Sequence, residues 1–258
     1  MALLERIGLL GRVLLLCGVL LAVPARAENI TLLTGEWLPY TSKDAPFYGI
    51  TSQIVTEAYK TVGIDLELEF FPWKRCRYMV ESGEALGTFP WYMTVERAEF
   101  ALFSVPVTPS TEVFFYLKKN IATPPVIKNI DDLKEYRIGG LNSSWLKEVL
   151  DARGVRGEYS DGHESLFMKF FAERFDLLQH NEIVGWRLIS KLYPDRVEEI
   201  GATPNPFSPG DLRVMFSKKY PRSIHYLHKL NQGLGNIKAS GLYDKLLDKA
   251  LASARRPK

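Results

Sequence analysis

The chain has 258 residues, 46% of them hydrophobic, which is enough apolar material for one large domain or two modest ones. Its formal net charge is +3, of which Glu5, Arg6, Arg12 and Arg26 in the first 27 residues carry +2, so the rest stands at about +1. That balance excludes nucleic acid as an expected partner.

The first residues carry an address. Arg6 and Arg12 precede the apolar run Val13–Val23, which is too short to cross ~30 Å of hydrocarbon. Ala25-Arg26-Ala27 then puts small residues at the −3 and −1 positions of a cleavage site. This is the pattern of a secretory signal peptide cleaved after Ala27, with a mature chain starting at Glu28. Leu16 stands where a lipobox before Cys17 needs a small residue, so a lipid anchor is not expected. Cys76 is then the one cysteine left, and an intramolecular disulfide is excluded.

From Asn29 the pattern is regular. Asn29–Trp37 opens as a strand ending near Gly35, and residues 38–49 read as a loop rich in turn formers. Ile50–Gly63 has apolar residues at Ile54, Ala58 and Val62 and stops on a glycine, as a helix does. Ile64–Phe71 alternates like a strand, Trp73–Gly83 returns to helical spacing, and Ala85–Trp91 reads as the next strand. Strand, helix, strand, helix, strand implies a parallel sheet covered by helices, with ligands bound where loops leave the carboxyl ends of strands. Glu112–Lys119 is a strand that carries the chain out of this first unit. A linker and short helix over 123–136, a strand Arg137–Leu141 and a helix with Ser143 or Ser144 as N-cap follow. Asp161 and Glu164 form a capping-box pattern before a helix running to Arg174. Phe175–His180 is a strand, Asn181–Tyr193 a helix, 202–211 a loop, Leu212–Ser217 a strand, and two helices over 222–240 and 241–253 close the chain.

The order and four segments resemble the periplasmic solute-binding proteins of polar amino acid ABC importers, the group of the histidine- and glutamine-binding proteins. The main marker is Thr94–Val107, a Thr-x-x-Arg followed by an apolar stretch and Ser-x-Pro, with Val107 where the family usually has tyrosine. The others are Trp37–Ser42, Arg137–Trp145, and the closing segment from Met215. The resemblance implies an α/β protein of the two-lobed type II binding fold. Lobe one would be about 28–112 plus 216–258 and lobe two about 113–215, joined by crossover strands at Glu112–Leu117 and Leu212–Ser217. It further implies a periplasmic monomer that binds a small-molecule ligand without a cofactor and docks on a membrane ABC permease or a sensor receptor.

The resemblance also assigns roles. Arg97 matches the arginine that grips a ligand carboxylate with its two-pronged guanidinium, within the Thr94-x-x-Arg97 context. Ser143 and Ser144 match a helix start that meets the same carboxylate from the other lobe. Trp37 matches an aromatic that packs on the ligand, Trp73 falls near another contact, and Trp91 and Tyr92 stand where relatives bind an α-amino group. Each of these rings has core packing as its alternative. Where the family's aspartate meets the ligand ammonium, this chain has Asn181 followed by Glu182. Either Glu182 substitutes or the ligand differs from a standard amino acid. The far end of the ligand is then flat and apolar, or a cation held over ring faces.

Rival classes have thinner support. An acid–base enzyme of this fold, such as a dehydratase of cyclic acids, would have to work with Glu182 and His180. A metal site would rest on His225 and His228 alone, where zinc takes three or four ligands. No Gly-x-Ser-x-Gly, phosphate loop or HExxH pattern is present. The expected class is therefore a binding protein, not an enzyme.

Overall fold

The computed structural model describes residues 28–254; the expected signal peptide lies outside the described residues. Two five-stranded sheets form the frame. The first contains β1 (Glu28–Thr34), β2 (Ile64–Phe70), β3 (Gly87–Trp91), β4 (Ala101–Phe103) and β10 (Arg213–Ser217). Its spatial order is β2-β1-β3-β10-β4. The second contains β5 (Glu112–Leu117), β6 (Ile138–Leu141), β7 (Gly157–Ser160), β8 (Leu177–Asn181) and β9 (Ile200–Pro204), in the order β7-β6-β8-β5-β9.

The two sheets repeat one plan. In each, three strands run parallel, and the antiparallel strand beside them is the one that arrives from the other sheet. β10 lies antiparallel to β3 and β4, and β5 lies antiparallel to β8 and β9. The segments leading into these two strands meet at Thr108 and Leu212, where Leu212 N–H donates to Thr108 O at 2.9 Å and Val107 N–H to Leu212 O at 2.9 Å. The two lobes are thus joined by a short pair of antiparallel crossings, the geometry of a hinge. The expected boundary at 215/216 falls inside β10, which pairs throughout with first-sheet strands.

Helices cover the sheets. α1 (Ile50–Lys60), α2 (Trp73–Ser82) and the short α3 (Val95–Phe100) belong to the first lobe, with α7 (Ser223–Ala239) and α8 (Leu242–Ala254) returning to it. α4 (Trp145–Ala152), α5 (His163–Phe171) and α6 (Glu182–Leu192) belong to the second. Ile30, Leu32, Ile54, Val55 and Phe89 on the first-lobe elements pack with Leu230, Leu234 and Ile237 of α7 in one core. Phe115, Leu166, Phe167, Phe170 and Leu178 form a separate core in the second lobe.

Three expectations needed revision. α3 and β4 occupy Val95–Phe103, which had read as an apolar run without an element. β7 forms in a stretch to which no element had been given, and β9 runs into the loop expected from residue 202, because each finds an open strand edge, on β6 and on β5. The capping box at Asp161 and Glu164 does not form. α5 starts at His163 after Gly162, with no side-chain cap, and Asp161 instead accepts a hydrogen bond from Asn142 Nδ2 at 2.8 Å.

α1 and α7 approach until backbone meets backbone. A Cβ on Gly233 would lie 2.0 Å from the carbonyl oxygen of Ala58, so only glycine fits. Gly233→Ala is therefore expected to destabilise the fold by about 2 kcal/mol, overpacking outweighing the gain of ~1 kcal/mol in helix propensity. Urea denaturation should show a lower midpoint with an unchanged slope. A midpoint equal to the wild type's would show that the two helices separate freely.

Candidate functional site

A cavity of about 470 Å³ opens between the lobes. Its first-lobe wall is a chain of rings set edge to face. Trp91 meets Trp73 at 5.5 Å between centroids, Trp73 meets Trp37 at 6.3 Å, and Trp37 meets Tyr92 at 6.4 Å. Tyr92 then meets Trp145 of the second lobe at 6.2 Å. Such pairs favour fixed ring positions through their quadrupoles. Gly35 makes the wall possible, because a Cβ there would stand 2.6 Å from the indole of Trp73. Trp73 rests on that backbone and donates from Nε1 to Glu36 O at 3.4 Å.

Arg97 sits behind this wall, only 2% exposed. The Thr94-x-x-Arg97 pattern has a local cause. Thr94 is the N-cap of α3, and its hydroxyl accepts from Arg97 N–H at 3.2 Å. That cap places Arg97 in the first helical turn, aimed inward over the face of Trp91 at 4.7 Å. Its Nη1 donates to Tyr92 O at 3.1 Å, and its Nη2 to Glu148 Oε1 at 2.7 Å. Glu148 lies on α4, so this ion pair bridges the lobes. Arg77 of α2 donates to the same oxygen at 3.2 Å, and Thr94 Oγ1 donates to the other oxygen at 3.3 Å. Burial pushes the Glu148 carboxyl up, and the Arg97 guanidinium opposes that shift. Arg97 Nε is buried and has no partner.

A second polar network lies deeper. Glu112 begins β5 at the crossing between lobes, 2% exposed. Tyr92 donates its hydroxyl to Glu112 Oε1, and Gln179 Nε2 donates to Oε2. Ser144, the N-cap of α4, donates to Gln179 Oε1 at 2.6 Å and accepts from Leu146 N–H at 3.2 Å. Asn181 Nδ2 donates to Ser110 Oγ at 2.7 Å and to Tyr40 Oη at 3.2 Å, while its Oδ1 accepts from Val184 N–H at 3.1 Å as the cap of α6. Burial pushes the Tyr40 phenol up to about 12 and that of Tyr92 well above its ordinary value. Trp145 meets Tyr92 ring to ring, and its buried indole N–H favours the charged form of Glu112 without making a hydrogen bond of ordinary geometry.

Two histidines complete the second-lobe wall. His180 Nδ1 lies 3.2 Å from Asn181 O, a carbonyl that can only accept, so Nδ1 carries the proton. His180 Nε2 then accepts from His163 Nδ1 at 3.0 Å. Burial and the neighbouring His163 pull the His180 pKa down to about 3, and burial lowers that of His163. The pair is neutral, with both nitrogens of His180 engaged.

Of the residues singled out from the sequence, Trp37, Trp73, Trp91, Tyr92, Arg97, Ser143, Ser144 and Asn181 line this one cavity. Thr94 does not; it acts through the α3 cap and through Glu148. Glu182 does not either, since it starts α6 and its N–H turns away to Thr111 O at 2.9 Å. Sequence reasoning missed Glu112, Gln179, Trp145 and Glu148. The signals were slight. Glu112 is a lone carboxylate heading the apolar strand Val113–Leu117, and Glu148 stands one helical turn beyond Ser144.

A fold of two mixed sheets around an interlobe cleft defines the class of two-lobed solute-binding proteins. The chain belongs to the bacterial extracellular solute-binding proteins, family 3, whose model matches residues 31–253. No curated protein sequence matches it significantly. Among solved structures, a histidine kinase sensor domain with similarity to periplasmic binding proteins is 16% identical, covering 88% of this chain and 97% of its own, with a TM-score of 0.72. An ancestral arginine-binding protein bound to arginine is 21% identical over 87% and 99%, with a TM-score of 0.68. The arginine-, lysine-, histidine-binding protein ArtJ of Geobacillus stearothermophilus is 20% identical over 90% and 97%, also with a TM-score of 0.68. At these identities the likeness is one of fold. Among the described residues no helix is long and apolar enough to cross a membrane.

Burial pushes the Glu112 carboxyl from its ordinary 4.5 up to about 7, against the pull of Tyr92, Gln179 and Trp145. Between those values the native state keeps a proton that the unfolded chain has lost. Its contribution to stability is complete below the lower value and is lost as pH rises through the upper one. Glu112→Gln stays neutral, and Gln179 can turn its amide to meet it. The melting temperature of the variant minus that of the wild type should therefore climb from pH 4.5 to 7 and level off above. His180 contributes the opposite slope to both proteins and cancels in the difference. A flat difference would contradict the burial of an ionisable Glu112.

Proposed function

We propose that this protein captures a small, carboxylate-bearing, amino-acid-like solute between its lobes outside the cytoplasm and delivers it to a membrane ABC permease. The observation that carries this reading is a buried donor without a protein partner, Arg97 Nε, set in the wall of a cavity between the lobes. A buried N–H left unpaired costs roughly 1–3 kcal/mol, and a ligand that accepts from it recovers that cost. The ligand carboxylate takes the Nε edge of Arg97 and competes with Glu148 for Nη2. Glu148 is not stranded by this exchange, because Arg77 holds the same oxygen. The rings from Trp37 to Trp91 cover the ligand's apolar surface and exclude water, which strengthens every polar contact inside. Membership of the solute-binding family supports the class of function. The engagement of both His180 nitrogens supports binding over acid–base chemistry, since neither is free to move a proton.

A thermal-shift screen against amino acids, opines, polyamines and aromatic acids tests the reading, because a ligand of the native state raises the melting temperature by mass action. Arg97→Ala should remain folded and bind the best compound of that screen at least ~100-fold more weakly by calorimetry. Wild-type affinity in the variant would remove Arg97 from the site.

A further inference from the structure

We propose that His163 is a specificity-determining residue of the cavity: its unprotonated Nε2 is an acceptor for the solute, which therefore carries an uncharged N–H or O–H donor, such as a hydroxyl, amide or indole. This rests on the reading of the cavity as a solute site. The protonation of the ring is dictated from behind the cavity wall. The carbonyl oxygen of Asn181 can only accept, so His180 Nδ1, 3.2 Å away, carries that ring's single proton. His180 Nε2 is then bare, and His163 Nδ1, at 3.0 Å, donates to it. His163 in turn spends its one proton on that bond, which leaves its own Nε2 a lone pair. Two hydrogen bonds in series thus carry the acceptor character of a backbone carbonyl to the cavity surface.

The geometry holds this arrangement in place. His180 is 4% exposed and packs against Phe167 at 5.6 Å and His163 at 5.1 Å between ring centroids. Turning the His163 ring over would put a carbon in place of Nδ1 and break the bond to His180. His163 opens α5 and lines the cavity, and nothing among the described residues donates to its Nε2. Asp161, two residues earlier on the same wall, is an acceptor as well, with one oxygen already taking Asn142 Nδ2 at 2.8 Å. Acceptors set together call for a donor from the solute, and a solute carbonyl placed there would meet lone pair with lone pair.

The donor is an uncharged one because this corner disfavours positive charge. Burial lowers the pKa of His163, and burial with the neighbouring His163 draws that of His180 down to about 3. No acid, Asp161 included, offsets the loss of water around either ring. The lobes then read opposite features of one solute. Arg97 Nε offers a donor from the first, and His163 Nε2 an acceptor from the second.

The test has two readings. Nitrogen NMR of histidine-labelled protein at pH 7.5 can be assigned by removing the signals of the two exposed histidines with His225→Gln and His228→Gln. The remaining two rings should both be protonated on Nδ1 and bare on Nε2. A proton on His163 Nε2 would overturn the proposal and leave solute capture standing. Calorimetric titration then compares three pairs in which a methyl group removes the donor: indole-3-acetate with 1-methylindole-3-acetate, L-tryptophan with 1-methyl-L-tryptophan, and L-tyrosine with O-methyl-L-tyrosine. In the wild type, at least one parent compound should bind ~100-fold more tightly than its methylated partner. In His163→Leu that preference should fall to about threefold or less, since the variant keeps the bulk and loses the acceptor. Equal affinity within every pair for the wild type, or a preference that survives in His163→Leu, would overturn the role of His163 and leave solute capture standing. Failure of all six compounds to bind the wild type would overturn both.

Discussion

The ion pair between Arg97 and Glu148 spans the cleft, and the walls of the cavity are arranged around it. Arg97 comes from α3 of the first lobe and Glu148 from α4 of the second, at 2.7 Å. Burying a guanidinium this completely costs several kcal/mol unless the charge is met. Thr94 caps the helix that aims it, Tyr92 offers a carbonyl oxygen, and Trp91 lies beneath it. These contacts fix where the charge stands, and they also fix Trp91 and Tyr92 at the cavity wall. A carboxylate from one lobe on an arginine from the other is the contact that, in the function proposed above, a ligand carboxylate would share.

The hinge gives this pair its meaning. The sheets are joined through Thr108 and Leu212, and each lends the other one antiparallel strand. Glu112 follows directly on this crossing, with Tyr92 of the first lobe on one oxygen and Gln179 of the second on the other. The cleft is therefore closed by two polar contacts, one at its rim and one at its root. Between them run the rings, with the unpaired Nε of Arg97 among them.

Much of the fold was legible because strands and helices alternate with clear periods and glycine stops, as in Ile50–Gly63 and Trp73–Gly83. Trp37, Trp73, Trp91, Tyr92 and Arg97, singled out through the resemblance carried by Thr94-x-x-Arg97, come together around one cavity in the fold. What escaped depended on partners distant in the chain. β7 and β9 are too short to announce themselves and exist because β6 and β5 present open edges. Glu112 looks like the polar start of an apolar strand until the pairing of β5 with β8 sets it opposite Asn181. Glu148 looks like a solvent-facing helical glutamate until the lobes close on it. Glu182 drew attention by standing beside Asn181, yet neighbours in a chain point apart when one caps a helix and the other begins it.

The most direct test of solute capture at this site is a crystal structure of the protein with the tightest-binding small molecule found for it. The molecule should lie in the cleft between Trp37, Trp73 and Trp145, with its carboxylate on Arg97. A ligand bound outside this cleft, or inside it with no contact to Arg97, would contradict the account.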